Sequence, residues 1–180
     1  MVSADLFNQM PEPEAVGLLL GCCTSARWAG LVAAGRPYPD AGAVLAASDA
    51  AVAVLEEADL RDALAGHPRL GDRQVPDPAP PGGRSGGWSG REQAGVRDAD
   101  AASRAELEAG NAEYERRFGH IYLACATGRS AADLAGFLRQ RLGNDPGQEW
   151  RVVAGELAAI NRMRLAQVID PDHRQGGAGP

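Results

Sequence analysis

Lysine is missing from this chain altogether, and all 18 basic residues are arginine. That absence removes several chemistries at once. Schiff-base aldolases, pyridoxal phosphate enzymes and biotin carriers need a lysine amine, and Walker-type phosphate loops need one beside their glycines. Aromatic residues are scarce at 5%, and much of the apolar content is alanine, a composition that favours closely packed helices over sheets. Cysteine is limited to Cys22, Cys23 and Cys125, an odd number whose adjacent pair does not readily bridge, so a reduced, cytoplasmic setting is expected. With three histidines and neither a Cys-x-x-Cys nor a His-Glu-x-x-His pattern, nothing spells a metal site. The longest apolar stretch, Ala15 to Cys23, is too short to cross a bilayer and lacks the flanks of a signal peptide. A formal charge of −6 without a basic stripe argues against a nucleic-acid partner, because phosphate binding draws its affinity from clustered cations.

What is present is helix punctuation along nearly the whole chain. At 180 residues one domain is expected, large enough to bury roughly 70% of its unfolded surface without disulfide or metal. Pro13-Glu14 starts a helix through Val16, Leu19 and Leu20, and Ser25 caps the next, through Trp28, Leu31 and Val32 to Gly35. Ala43 to Glu56 reads as a third, with Ser48-Asp49 as a candidate break, and Asp59 to Ala65 as a short fourth closed by Gly66-His67-Pro68. From Gly71 to Trp88 the composition turns to proline, glycine, aspartate and arginine, which predicts a long mobile loop. Four capping patterns follow: Ser89-x-x-Glu92, Ser103-x-x-Glu106, Ser130-x-x-Asp133 and Asp145-Pro146-x-Gln148. The last opens the longest helix, to about Ile169, and Asp172 to Pro180 reads as a frayed tail. The expectation is an all-α, single-domain multi-helix bundle over residues 1–171.

Several polar residues fall on apolar stripes. Along the final helix Trp150, Val153, Leu157, Ile160 and Val168 define an inward face, and Arg164 fills its one gap. Such an arginine either snorkels at the stripe's edge or faces a cavity where its charge is met. Asn111 shares the stripe of Leu107, Tyr114 and Phe118, as a core amide bracing a neighbouring loop or as a functional group. His67 extends the line of Leu60 and Leu64 and leaves the helix end on the core side, where the negative end of the macrodipole favours its charged form. Glu92 sits in a capping box, ordinarily a structural position. An acid, a histidine, an inward arginine and a flexible loop together suit proton transfer on a small anionic or ureido-bearing substrate. A helical interaction module whose inward polar groups are only braces is the competing reading, and it requires a large exposed apolar patch.

Five motifs in order resemble one family. Gly66-His67-Pro68-Arg69-Leu70-Gly71 and Trp88-Ser89-Gly90-Arg91-Glu92-Gln93-Ala94-Gly95 are similar to the His-Pro and Ser-x-x-Glu-Gln motifs of the 2-oxo-4-hydroxy-4-carboxy-5-ureidoimidazoline (OHCU) decarboxylases. Asn111 to Gly119 resembles their Asn-x-x-Tyr-x-x-x-Phe-Gly signature. Arg141-Leu142-Gly143-Asn144 with Glu149, and Glu156 to Leu165, match their C-terminal helices. Weaker echoes lie at Phe7-Asn8, Trp28-Ala29 and Arg36-Pro37-Tyr38, so the likeness covers roughly residues 3 to 169. The resemblance implies a cofactor-free helical enzyme, usually a homodimer, that decarboxylates OHCU to (S)-allantoin in urate degradation, with no membrane or nucleic-acid partner. It implies His67 and Glu92 as the catalytic acid/base groups and Arg164 as the anchor of a substrate oxygen. Ser89 and Gln93 would bind the ring and ureido groups, Pro68 would shape a wall, and the main chain at Ile121 would meet the ureido end. The chain departs from the pattern at His120-Ile121-Tyr122, where relatives carry a Phe-Pro-Phe-like run, and at Arg69, where an aspartate is frequent. Another ureide as substrate is compatible with the same motifs.

Overall fold

The structure is a computed structural model that describes residues 1–71 and 100–170. Eight helices lie among the described residues: α1 Ala4–Gln9, α2 Glu12–Leu20, α3 Ala26–Ala34, α4 Ala41–Ala53, α5 Glu57–Ala65, α6 Ala101–Phe118, α7 Ala131–Arg141 and α8 Pro146–Val168. The all-α expectation holds. The extended pairing present among these residues is an isolated parallel bridge between Val2 and Ile169, which ties the chain's first residues to the end of α8.

Most helix starts follow the capping chemistry written in the sequence. Ser25 accepts from the Trp28 N–H, Ser130 and Asp133 form a reciprocal box, and Asp145 accepts from the Gln148 N–H at 2.9 Å, each satisfying donors that the first turn leaves orphaned. Four details differ from expectation. Helix α1 carries no strong periodicity, yet Ser3 caps it through the Leu6 N–H. Helix α2 begins at Glu12, one residue ahead of Pro13. Helix α4 runs unbroken through Ser48, because that hydroxyl is buried and accepts from the Trp28 indole at 3.2 Å. Helix α6 starts at Ala101 with Asp100 as its cap; Ser103 sits in the first turn and donates to Asp100 itself, so Ser103-x-x-Glu106 is not a box. The box at Ser89, the loop from residue 72 onward and the tail after residue 170 lie outside the described residues.

Two apolar clusters organise the molecule. The larger gathers Phe7, Leu19, Trp28, Val44, Leu157 and Leu165 from α1 to α4 and α8, and the smaller gathers Leu107, Tyr114, Leu134 and Leu138 where α6 lies on α7. The extended stretch 121–126 stitches them together by period-two alternation: Ile121, Leu123 and Cys125 pack on the larger cluster, while Tyr122, Ala124 and Ala126 belong to the smaller. Side chains satisfy this stretch in place of a strand partner. Arg141 donates to the Leu123 carbonyl at 2.6 Å, the Cys125 N–H donates to Glu156 Oε2 at 2.7 Å, and the Tyr122 hydroxyl donates to the Leu134 carbonyl at 3.1 Å. Among the described residues the large exposed apolar side chains, Met1, Leu6, Leu31, Val54 and Phe137, are scattered along the chain.

A buried ion pair locks the same junction. Arg141 meets fully buried Glu149 at 2.6 Å, while the Tyr114 hydroxyl donates to Oε1 and Asn144 donates to Oε2 at 2.7 Å. Burial and the neighbouring carboxylate raise the pKa of the Tyr114 phenol, so it remains a donor. The motif residues Tyr114, Arg141, Asn144 and Glu149 thus form one hydrogen-bonded unit spanning α6, α7 and the start of α8. Removing either Arg141 or Glu149 strands a buried charge, at a cost of about 3–5 kcal/mol. Glu149→Leu is expected to lose that much in urea unfolding, and Arg141→Met combined with it to recover a large part; a double variant as unstable as the sum of the singles would show that the pair does not act as a unit.

Candidate functional site

His67 is placed by the end of α5. Gly66 closes that helix, and the His67 N–H donates back to the Leu64 carbonyl at 2.9 Å. Thr24, in the turn between α2 and α3, donates to the Asp62 and Ala63 carbonyls at 2.9 and 3.1 Å. The two segments approach so closely that a Cβ at Gly66 would fall 2.3 Å from the Thr24 side chain, so only glycine fits. Pro68 then prevents the helix from continuing. The imidazole is delivered inward, with Nε2 shielded from solvent and without a hydrogen-bond partner among the described residues.

Helix α8 carries Arg164, which is 5% exposed. It does not snorkel; its guanidinium donates to the Cys22 carbonyl at 2.8 Å, at the carboxyl end of α2. Arg164 also lies close enough to act on His67. Burial first, and this cation second, push the imidazole pKa down from 6.5 to about 3. The macrodipole expectation is therefore corrected: desolvation and a facing guanidinium outweigh the helix end, and His67 is neutral at physiological pH. Two residues far apart in sequence thus come within electrostatic reach of each other.

Asn161, one turn before Arg164 on the same face of α8, was not singled out by the sequence reading. It is fully buried, and neither its amide nitrogen nor its oxygen has a hydrogen-bond partner among the described residues. The buried Cys23 thiol is a neighbour of both Asn161 and Arg164, and burial raises its pKa. The signal was available: a second polar residue at spacing i, i+3 from Arg164 on an otherwise apolar stripe.

The remaining candidates fall elsewhere. Ser89, Glu92 and Gln93 lie outside the described residues. Ile121 packs on the larger core, with its carbonyl 3.1 Å from His120 Nδ1. His120 itself stacks on Trp150 with ring centroids 4.2 Å apart, beside the Arg61 guanidinium. Asn111 braces a loop, donating to the Leu70 carbonyl at 2.9 Å. The upstream echoes pair with one another: Asn8 exchanges two hydrogen bonds with the Tyr38 main chain, and Arg36 donates to the Phe7 and Met10 carbonyls.

The depressed imidazole pKa couples to stability with a definite sign. Below about pH 6.5 the unfolded chain takes up a proton that folded His67 refuses until about pH 3, so stability falls with pH across that window, by at most about 1.4 kcal/mol per unit. The thermal midpoint of the parent chain is expected to drop more between pH 7 and 5 than that of His67→Gln; parallel curves would contradict a buried neutral imidazole.

The model of the OHCU decarboxylase family matches residues 8–166. The uric acid degradation bifunctional protein TTL of Arabidopsis thaliana is 26% identical over 148 residues, covering 82% of this chain and 45% of that protein. The OHCU decarboxylase of Bos taurus is 34% identical over 105 residues, 57% of this chain and 59% of its own length. That of Amia calva is 35% identical over 77 residues, 43% and 44% respectively. The matches thus span about half the length of these curated relatives. In fold, the chain is similar to a crystal structure of OHCU decarboxylase in the presence of (S)-allantoin, with a TM-score of 0.69 and 23% identity over 83% of this chain and 94% of that one. It is equally similar, at TM-score 0.69 and 19% identity, to a crystal structure of (S)-allantoin synthase, over 94% of this chain and 55% of that one. With its family signature running from Asn8 to Ala166 through the His67 and Arg164 motifs, the chain belongs to the OHCU decarboxylase family.

Proposed function

We propose that this chain decarboxylates OHCU to (S)-allantoin, without a metal or organic cofactor, in cytoplasmic urate degradation. The observation that carries the reading is a solvent-shielded His67 Nε2 within electrostatic reach of the buried Arg164, in a chain of this family. A neutral imidazole beside a fixed guanidinium suits a small carboxylate. An arriving carboxylate offsets the repulsion from Arg164 and raises the basicity of His67, so the imidazole becomes an effective base as substrate binds.

The substrate explains why side chains suffice. Its C4 carries a hydroxyl and the carboxylate, next to a ring carbon in a C=N unit that bears the ureido group. When the bond to the carboxylate breaks and carbon dioxide leaves, its electron pair becomes a C4=C5 bond and the ring nitrogen takes a proton. His67 accepts the C4 hydroxyl proton as the enol ketonises, and a proton reaches C5 from one face, setting its configuration. Glu92 shares this proton work in the proposed scheme. Arg164 opposes the negative charge that develops on oxygen, Ser89 and Gln93 hold the ring and ureido groups, Pro68 bounds one wall, and the Ile121 main chain meets the ureido end. A homodimer is the proposed assembly.

Freshly generated OHCU, offered to the purified chain without added metal, is expected to decay much faster than in buffer. His67→Ala is expected to lose about 10²–10⁴-fold of that acceleration with its helical circular dichroism intact. Undiminished turnover in a folded His67→Ala variant would remove His67 from the mechanism.

A further inference from the structure

The buried polar atoms left without partners are not spread evenly. Among the described residues five such side-chain atoms occur, and three of them, His67 Nε2 and both polar atoms of the Asn161 amide, belong to residues gathered about Arg164. A buried amide with donor and acceptor both idle is costly, and native chains seldom keep one without a use. Nothing among the described residues employs Asn161: it caps no helix and braces no loop, and the thiol beside it is at best a weak partner. Asn111, by contrast, uses its amide nitrogen to hold the Leu70 carbonyl.

We infer that Asn161 is a substrate-specificity residue, whose amide pairs with the N–H and C=O edge of a ureide while Arg164, one turn further along α8, takes the acidic end. A primary amide presents one donor and one acceptor side by side, the complement of a ureido or lactam edge, so two hydrogen bonds form together. A simple 2-hydroxy acid has no such edge and leaves the amide unpaired, which is how a buried polar group rejects a near relative of its substrate. This inference rests on the proposed function and extends it to the choice among carboxylates.

The test uses Asn161→Leu, close in volume but without hydrogen bonds. If the amide serves substrate, the variant has a thermal midpoint equal to or above the parent's, since an unpaired buried amide is replaced by an apolar group, and its KM for OHCU rises about 10- to 100-fold, two hydrogen bonds' worth, with KM carrying more of the loss than kcat. A lowered midpoint with unchanged KM would mark a structural brace and overturn the inference. If Asn161→Leu fails to fold, Asn161→Ser answers on the same criterion, and failure of both to fold also overturns it. Should the parent chain leave OHCU untouched, the proposed function falls separately; titration with allantoin then decides, parent binding weakened in Asn161→Leu supporting the amide's role and equal or absent binding refuting it.

Discussion

The fully buried ion pair between Arg141 and Glu149 is the constraint on which the rest of the molecule depends. Two charges withdrawn from water are tolerable only when nearly every donor and acceptor is met. Here Glu149 receives Tyr114, Arg141 and Asn144, and Arg141 also reaches the Leu123 carbonyl. That requirement fixes the start of α8 against α6, α7 and the stitched segment at once. From the fixed start, α8 runs as a rigid rod at about 1.5 Å per residue, which sets Asn161 and Arg164 about 18 to 23 Å along it. Its contacts with α4 and α5 then bring them beside the end of α5, where His67 stands. Register at one end of the helix becomes geometry at the other.

The family motifs consequently divide into two jobs. Tyr114, Arg141, Asn144, Glu149 and Glu156 hold backbone and helix ends in place, and Asn111 supports the main chain just after the His-Pro turn. His67, just past α5, and Arg164, on α8, instead lie within electrostatic reach of each other.

Much of this was legible in the residues. Caps at Ser25, Ser130 and Asp145 placed three helices because capping is local chemistry, and Arg164 stood out because a single cation interrupted an apolar stripe. What escaped depends on distant partners. Ser48 looked like a helix breaker until the Trp28 indole occupied its hydroxyl, and Ser103 looked like a cap until Asp100 supplied a better one. The charge state of His67 was misjudged because the helix end is visible in sequence, whereas burial and the approach of Arg164 are products of folding. Asn161 was passed over because one amide beside a more conspicuous arginine carries little weight until its burial is known.

In the proposed function the His67 imidazole and the Arg164 guanidinium direct proton delivery to one face of a decarboxylated ureide. The most direct measurement is the optical activity of allantoin formed when the purified chain consumes fresh OHCU, read before spontaneous racemisation. Spontaneous decay gives both enantiomers. A wholly (S) product is expected; a racemic product, formed no faster than in buffer, would remove His67 and Arg164 from the chemistry.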